Sequence, residues 1–480
     1  MATRPLITQV GVRKLDKLLE ESVKSRRVPA TFFGLTNSKE TFYWNCHGSV
    51  DFENPDGAAV DENTVLQQFS ATKLVTTVAA LQLVDRGLAS LDDPTLISQR
   101  LPELASLRIL KGYDEQDEPI WQDPTTKITL RMLLSHTSGL GNVNRNQNLL
   151  KWAQSENLNT RYLGPHTTEK SYLYPLLFNP GSAWVYGVGL DWAGILISRV
   201  TGKSLEDHFR EAIFEKAGMT DTTFYPTEEV KRRLMRMTTQ ESREAPIKAC
   251  SDNFSGLGSL SRTSDPDKVG VMSGGAGLFS TAKNFLAFLR GILASQSGTD
   301  PKALLSPGSF EELFKDAFRP ETDDEHFLTT LKSHELHDPA LFNREGASGK
   351  DRKIVQSVGL AVNLVDSANG RKAGSGCWDG AARTMYWIDP KTGLAGICMT
   401  NVLCPEPNEF YRLYQRFERA VYDGLSEGES DVPMPDTSAI KPDHRFLFKP
   451  LEKTQDGGCH ASVWLPKVDG GFDRGTPVAM

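Results

Sequence analysis

The chain has 480 residues, 39% apolar, 24% charged and 9% aromatic, and its 54 Lys plus Arg against 61 Asp plus Glu leave a formal charge of −7. This length supports a sizeable core and sets a soft expectation of about three domains, or one large two-part domain, and the composition excludes a disordered, collagen-like or small disulfide-stapled chain. Mild acidity without a Lys/Arg-rich block argues against nucleic acid as a partner. Residues 1–19 hold no continuous apolar stretch of the signal-peptide kind. No run of about 18 apolar residues occurs, so no membrane span is expected and the predicted location is cytoplasmic. The six cysteines (Cys46, Cys250, Cys377, Cys398, Cys404, Cys459) show no CxxC spacing and are expected as free thiols.

In chain order, residues 10–26 carry Leu15, Leu18, Leu19 and Val23 at helical spacing, and 30–35 and 41–46 read as short strands. Residues 70–86 are apolar on nearly all sides, the mark of a buried helix, with Gly87 as its stop. A mostly helical middle follows, with helices expected at 191–200, closed by Gly202, at 205–217, capped by Ser204, and at 282–293. Residues 319–353 are polar and charged and read as an insertion or surface loop. Strands return at 358–365, 384–388 and 394–402, the last two joined by the turn Asp389-Pro390-Lys391-Thr392-Gly393, before a closing helix at 406–425. The fold class predicted is α/β (α+β): a sheet flanked by helices, built from 1–87 and 355–425, with an inserted, mostly helical subdomain at 88–354 and a Pro/Gly-rich extension at 426–480. A cleft between the two parts is the natural place for a site.

Three segments could carry chemistry, and each has an ordinary structural explanation when taken alone. In Ser70-Ala71-Thr72-Lys73 the i, i+3 spacing lets the serine hydroxyl meet the lysine amine on one helix face. Ser70 would sit at a helix N-terminus, where developing negative charge is favoured. A lysine held in an apolar helix loses hydration, which favours its proton-accepting form. The same tetrapeptide pattern recurs at Ser280 and Ser438. The first of these reads as a cap with a solvated lysine, and the second as incidental. Pro180-Gly181 leads to Trp184-Val185-Tyr186, which presents a tyrosine able to shuttle a proton. In 374–382, small residues around Trp378-Asp379-Gly380-Ala381 let a backbone N–H approach a substrate closely.

The order of these segments resembles the serine β-lactamase and penicillin-binding-protein superfamily, and within it the class C-like family VIII esterases and lovastatin-type acyltransferases. The stretch at 87–94 is similar to the one that follows that family's nucleophile helix. Leu133-Leu134-Ser135-His136-Thr137-Ser138-Gly139-Leu140 and Gly275-Ala276-Gly277-Leu278 match further signatures, and the likeness runs from about residue 10 to 425. It implies a β-lactamase/transpeptidase-like fold with an antiparallel sheet. It implies Ser70 as acylated nucleophile, Lys73 and Tyr186 as paired base and acid, and the backbone N–H groups of Ser70 and Ala381 as oxyanion hole. It further implies Trp378, Asp379, Gly380, Val188 and Phe69 as substrate contacts, His136 as a structural residue, and no metal or prosthetic cofactor. Two departures bear on substrate. The lactamase Tyr-x-Asn is here Tyr186-Gly187-Val188. The Lys-Thr-Gly at 391–393 lies in a turn away from the expected site, and the third motif falls on Trp378-Asp379-Gly380, where a tryptophan replaces a carboxylate-binding cation with an apolar wall.

The function expected is a serine acyl-transfer enzyme acting on a small-molecule ester or thioester, passing the acyl group to an alcohol or to water, as in natural-product biosynthesis. Acyl-CoA or an acyl-carrier protein is a candidate donor. A cytosolic peptidase or amidase of the same fold, or a non-catalytic ligand-binding protein, are the alternatives. Oligomeric state is not legible. His334-Glu335-Leu336-His337 has the wrong spacing for a zinc helix and reads as a surface loop, and no GxSxG or GxGxxG is present.

Overall fold

The structure, a computed structural model, describes residues 6–158, 168–250, 270–333, 337–342, 352–404, 408–425, 448–453 and 459–463. Helix α1 (Gln9–Lys24) is amphipathic, with Leu15, Leu18 and Leu19 buried, and Thr8 caps it by accepting from the Gly11 N–H at 3.0 Å. Strands β1 (Thr31–Thr36) and β2 (Thr41–His47) follow. Helices α2 (Thr72–Asp85), α3 (Gly189–Thr201) and α4 (Ala282–Ala294) come from the middle of the chain. Strands β3 (Ile354–Gln356), β4 (Ala361–Asn363), β5 (Gly376–Trp378), β6 (Thr384–Asp389) and β7 (Leu394–Met399) and helix α5 (Glu409–Leu425) close the fold.

The seven strands form one antiparallel sheet in the order β2-β1-β7-β6-β5-β4-β3. Side chains on β1 alternate between two cores, as a pleated strand dictates. Phe33 and Leu35 join a cluster with α1 and α5, where Phe33 stacks on Phe417 with ring centroids 3.9 Å apart. Phe32 joins the larger cluster, which also holds α2, α3 and α4. That larger core runs without a break from sheet residues such as Tyr386 and Ile397 to Leu133 and Trp192 in the helical middle. Helix α4 lies against the sheet, leaving no room for a side chain at Gly34, whose Cβ would stand 2.8 Å from Leu286. The helical middle and the sheet are therefore two layers over one core.

Three expectations need correction. The 319–353 segment is not merely a surface loop. It contains the helix Glu325–Ser333, with Phe327 and Leu331 in the core, because Phe327, Leu328 and Leu331 recur at helical spacing within a charged stretch. His337 is buried beside Cys377, with Sγ 3.8 Å from the ring, rather than exposed, while 334–336 lie outside the described residues. The strand expected at 358–365 is shorter, Ala361–Asn363. In the 426–480 extension the strands Phe448–Lys453 and Cys459–Val463 pair antiparallel, and Ser438 is outside the described residues. No described helix is long and apolar enough to cross a membrane.

Candidate active site

Residues 65–67 and 279–281 pair as a short antiparallel ribbon, and the Gln68 N–H continues it onto the Leu278 carbonyl at 2.9 Å. The chain then turns sharply. Phe69 sits at φ +45° and opens the single 3-10 turn Phe69–Ala71, which feeds α2. Ser70 thus lies one turn before the helix proper, partly exposed, and Lys73 follows in the first turn of α2 at 3% exposure. A positive φ on a bulky residue is costly and persists where the surroundings over-determine it. Here Phe69 is packed with Val65, Phe279 and Ala382, and Thr384 Oγ1 donates to the Gln68 carbonyl at 2.8 Å.

The second loop is held by the first signature. Gly181 N–H donates to the Thr137 carbonyl (2.8 Å), Val185 N–H to the His136 carbonyl (3.0 Å), and Gly187 N–H to His136 Nδ1 (3.4 Å). A Cβ at Gly187 would collide with the Leu140 carbonyl oxygen, so only glycine allows this approach. His136 is buried, and burial followed by the charge of Lys73 holds its imidazole well below the ordinary range. It is neutral, so Nδ1 can accept from Gly187.

These loops bring three side chains together. Tyr186 Oη is joined to Ser70 Oγ by a 2.7 Å hydrogen bond, and Lys73 Nζ donates to Ser70 Oγ at 3.2 Å and to the Gly275 carbonyl at 2.7 Å. Lys73 Nζ also lies 4.7 Å from the centre of the Tyr186 ring. Gly275 is fixed in turn by fully buried Asp191, whose Oδ1 accepts from the Gly275 N–H (3.1 Å) and from Ser273 Oγ (2.5 Å). The sequence singled out the 275–282 stretch by its glycines but not Gly275 as the lysine's partner, because a backbone carbonyl leaves no mark in residue type. Asp191 likewise read only as part of a helix.

Trp378, at the end of β5, stacks on Tyr186 with ring centroids 5.9 Å apart and interplanar angle 26°. Asp379 is buried and accepts from Tyr411 Oη at 3.2 Å. Gly380 lies so close to the nucleophile turn that a Cβ there would overlap the Gln68 carbonyl oxygen and Thr384 Oγ1. Ala381 is partly exposed beside that turn and packs against the cluster holding Phe69. Two of the expected substrate contacts are packed away from solvent. Val188 is fully buried in the main core, and Phe69 is an anchor of the nucleophile turn at 3% exposure. The lactamase-like Lys391-Thr392-Gly393 is a turn, its backbone bonded to Asp389 at the end of β6 away from Thr384 and the site. In the Ser280 repeat the lysine is solvated as expected, Lys283 being an exposed partner of Glu62, but the helix cap is Thr281 and not Ser280, whose hydroxyl is buried against Thr222 Oγ1 at 2.7 Å.

A family model described as Beta-lactamase matches residues 15–421. The chain belongs to this family. It is 32% identical over 413 residues to the lovastatin esterase of Penicillium rubens, covering 85% of this chain and 98% of that protein. It is 28% identical to the monacolin J acid methylbutanoyltransferase of Aspergillus terreus, covering 86% and 96%. Among solved structures, a mutant of the simvastatin synthase from Aspergillus terreus superposes with a TM-score of 0.72 at 28% identity, covering 87% of this chain and 96% of that one. A family VIII carboxylesterase shares the fold at a TM-score of 0.56. The protein is a β-lactamase-like serine enzyme of the esterase and acyltransferase kind, and its fold is the β-lactamase/transpeptidase-like one expected.

Proposed function

We propose that the protein forms an acyl-enzyme on Ser70 from a small-molecule ester or thioester and passes the acyl group to an alcohol or to water. The observation that carries this reading is the convergence of Tyr186 Oη (2.7 Å) and Lys73 Nζ (3.2 Å) on Ser70 Oγ. Tyr186 and Lys73, acting as the paired base and acid, take up the serine proton as Oγ attacks the carbonyl carbon. The oxyanion rests on the Ser70 and Ala381 N–H groups. Tyr186 returns the proton to the leaving oxygen or sulfur, and the C–O or C–S bond breaks. An alcohol or water then gives its proton to Tyr186 and takes the acyl group, restoring Ser70. Trp378 and Gly380 wall the site, and Asp379 supports that wall.

Water is the acceptor for a relative named an esterase, and another is named a methylbutanoyltransferase. A polyketide-like ester or alcohol is thus the substrate class this reading favours, with acyl-CoA or an acyl-carrier thioester as donor in the cytoplasm. Cys46, Cys377 and Cys398 form no disulfide, which suits a reducing compartment. The test is intact-mass spectrometry after incubation with a short-chain p-nitrophenyl ester or acyl thioester. A one-acyl adduct in the parent and none in Ser70→Ala is expected. Turnover without an adduct indicates fast deacylation, and equal turnover in Ser70→Ala overturns the assignment.

A further inference from the structure

Beside the three converging side chains stands a cation that the acyl-transfer reading does not use. Arg145 ends the 3-10 turn Val143–Arg145. Its backbone is pinned on both sides. Asn142 Oδ1 accepts from the Asn144 N–H at 2.9 Å, Asn146 Oδ1 accepts from the Leu149 N–H at 3.0 Å, and Val143 and Leu149 are in the core. The side chain itself is exposed, and its guanidinium carbon lies 5.3 Å from the centre of the Tyr186 ring. The hydroxyl of that same ring touches Ser70 Oγ.

No carboxylate among the described residues pairs with Arg145, whereas Arg131 and Arg199 each meet two. Its charged neighbours do not neutralise it. His326, an exposed residue whose ring lies 5.7 Å from that of Trp184, is held below its ordinary range by partial loss of hydration and then by Arg145 itself. Asp323 acts on His326 in the opposite sense, but its Oδ1 accepts the Glu325 N–H at 3.0 Å. A guanidinium that meets no carboxylate among the described residues, on a hydrogen-bonded turn at a reaction centre, is arranged to take a planar oxyanion on two parallel N–H bonds. It also offers the cleft a cation where Trp378 stands in place of the family's lysine.

We propose that Arg145 binds an oxyanion carried by the substrate, so that the enzyme selects esters, thioesters or acceptors bearing a carboxylate or phosphate remote from the reacting carbonyl. This rests on the acyl-transfer reading above. The oxyanion could be a carboxylate of the ester or acceptor, or the phosphates of an acyl-CoA, and two substrate pairs separate these. The first is an ester with a remote carboxylate against its carboxamide. The second is an acyl-CoA against the corresponding acyl-pantetheine, which lacks phosphate.

In the parent, kcat/KM should favour the charged member of at least one pair about tenfold. That preference should fall to near unity in Arg145→Gln and be kept in part in Arg145→Lys, with the change in KM rather than kcat. No charge preference in the parent, or an equal loss for charged and neutral members in Arg145→Gln, overturns the proposal. Calorimetry in the Ser70→Ala background, with the carboxylate ester, its carboxamide, the acyl-CoA and the acyl-pantetheine, reads the same contrast without turnover. If the parent never acylates, the function proposed above fails, while charge-dependent binding lost in Ser70→Ala/Arg145→Gln still supports the anion site and its absence still rejects it.

Discussion

Lys73 is almost wholly buried yet meets no carboxylate among the described residues. Its ammonium is held by the Gly275 carbonyl, Ser70 Oγ and the face of the Tyr186 ring. Such a group is costly to bury, and it is retained where its charge serves the neighbouring hydroxyls. Replacing it with methionine keeps the stem volume and removes the charge. Lys73→Met should lower kcat for a neutral p-nitrophenyl ester by about 10²–10⁴-fold, as should Tyr186→Phe. The double variant should lose scarcely more than either single one, because the two act as a unit. Steady-state kinetics with circular dichroism as a fold control checks this, and additive losses would show that the residues act separately. The i, i+3 spacing of Ser70 and Lys73 was legible in the chain because one helix turn suffices to bring them together. Tyr186 was legible only through motif order, since it is 116 positions from Ser70.

At the scale of elements, the nucleophile turn is shaped by its neighbours. Phe69 keeps its positive φ because the ribbon at 65–67 and 279–281 and the β5–β6 connection clamp it from two sides. Gly380 is the point of closest approach. Gly380→Ala should lower the acylation rate at least tenfold and lower the melting temperature as well, since the new methyl meets backbone at Gln68. Gly87→Ala is the contrast. Gly87 has a positive φ (68°), which Gly380 does not, but nothing lies within 4 Å of a Cβ there. It should lose only about 1 kcal/mol of stability from backbone strain and keep its acylation rate. Stopped-flow acylation and thermal melts separate the two cases, and equal rate losses would remove the special role of Gly380. The expected helices and most strands of the sheet were legible from periodicity, whereas three-residue strands such as Ile354–Gln356 were too short to show a pattern.

For the whole molecule, pH dependence follows from buried histidines. His136 titrates well below 6.5 in the fold, and buried His208 is shifted the same way, burial being the first cause in each. Below about 6.5 the unfolded chain binds protons that the folded chain refuses, so this stability is present above that pH and lost as pH falls. Each such histidine contributes up to about 1.4 kcal/mol per pH unit below 6.5. Buried Glu206 and half-buried Asp316 are pushed upward and act in the opposite sense, so the comparison must be between variants. His136→Asn suits the φ of +60° at this position and should flatten the loss of stability between pH 7 and 5, measured by urea unfolding. An unchanged slope would mean that His136 is not kept neutral.

By itself the sequence determined what can be encoded within a few positions: the buried α2, the glycine-bearing turns, the helix stops and the serine–lysine pair. It also determined the family, because several signatures occur in a fixed order along most of the chain. Only the tertiary structure decided which distant groups meet. Lys73 finds a carbonyl 202 positions away, His136 supports Gly187 across 51, and Gly380 closes on Gln68. It also placed Phe69 and Val188 in the core, and Arg145, which meets no carboxylate among the described residues, beside the Tyr186 ring. Local propensity and spacing act through short stretches of backbone, whereas burial, close backbone approach and charge pairing depend on the packing of segments far apart in the chain.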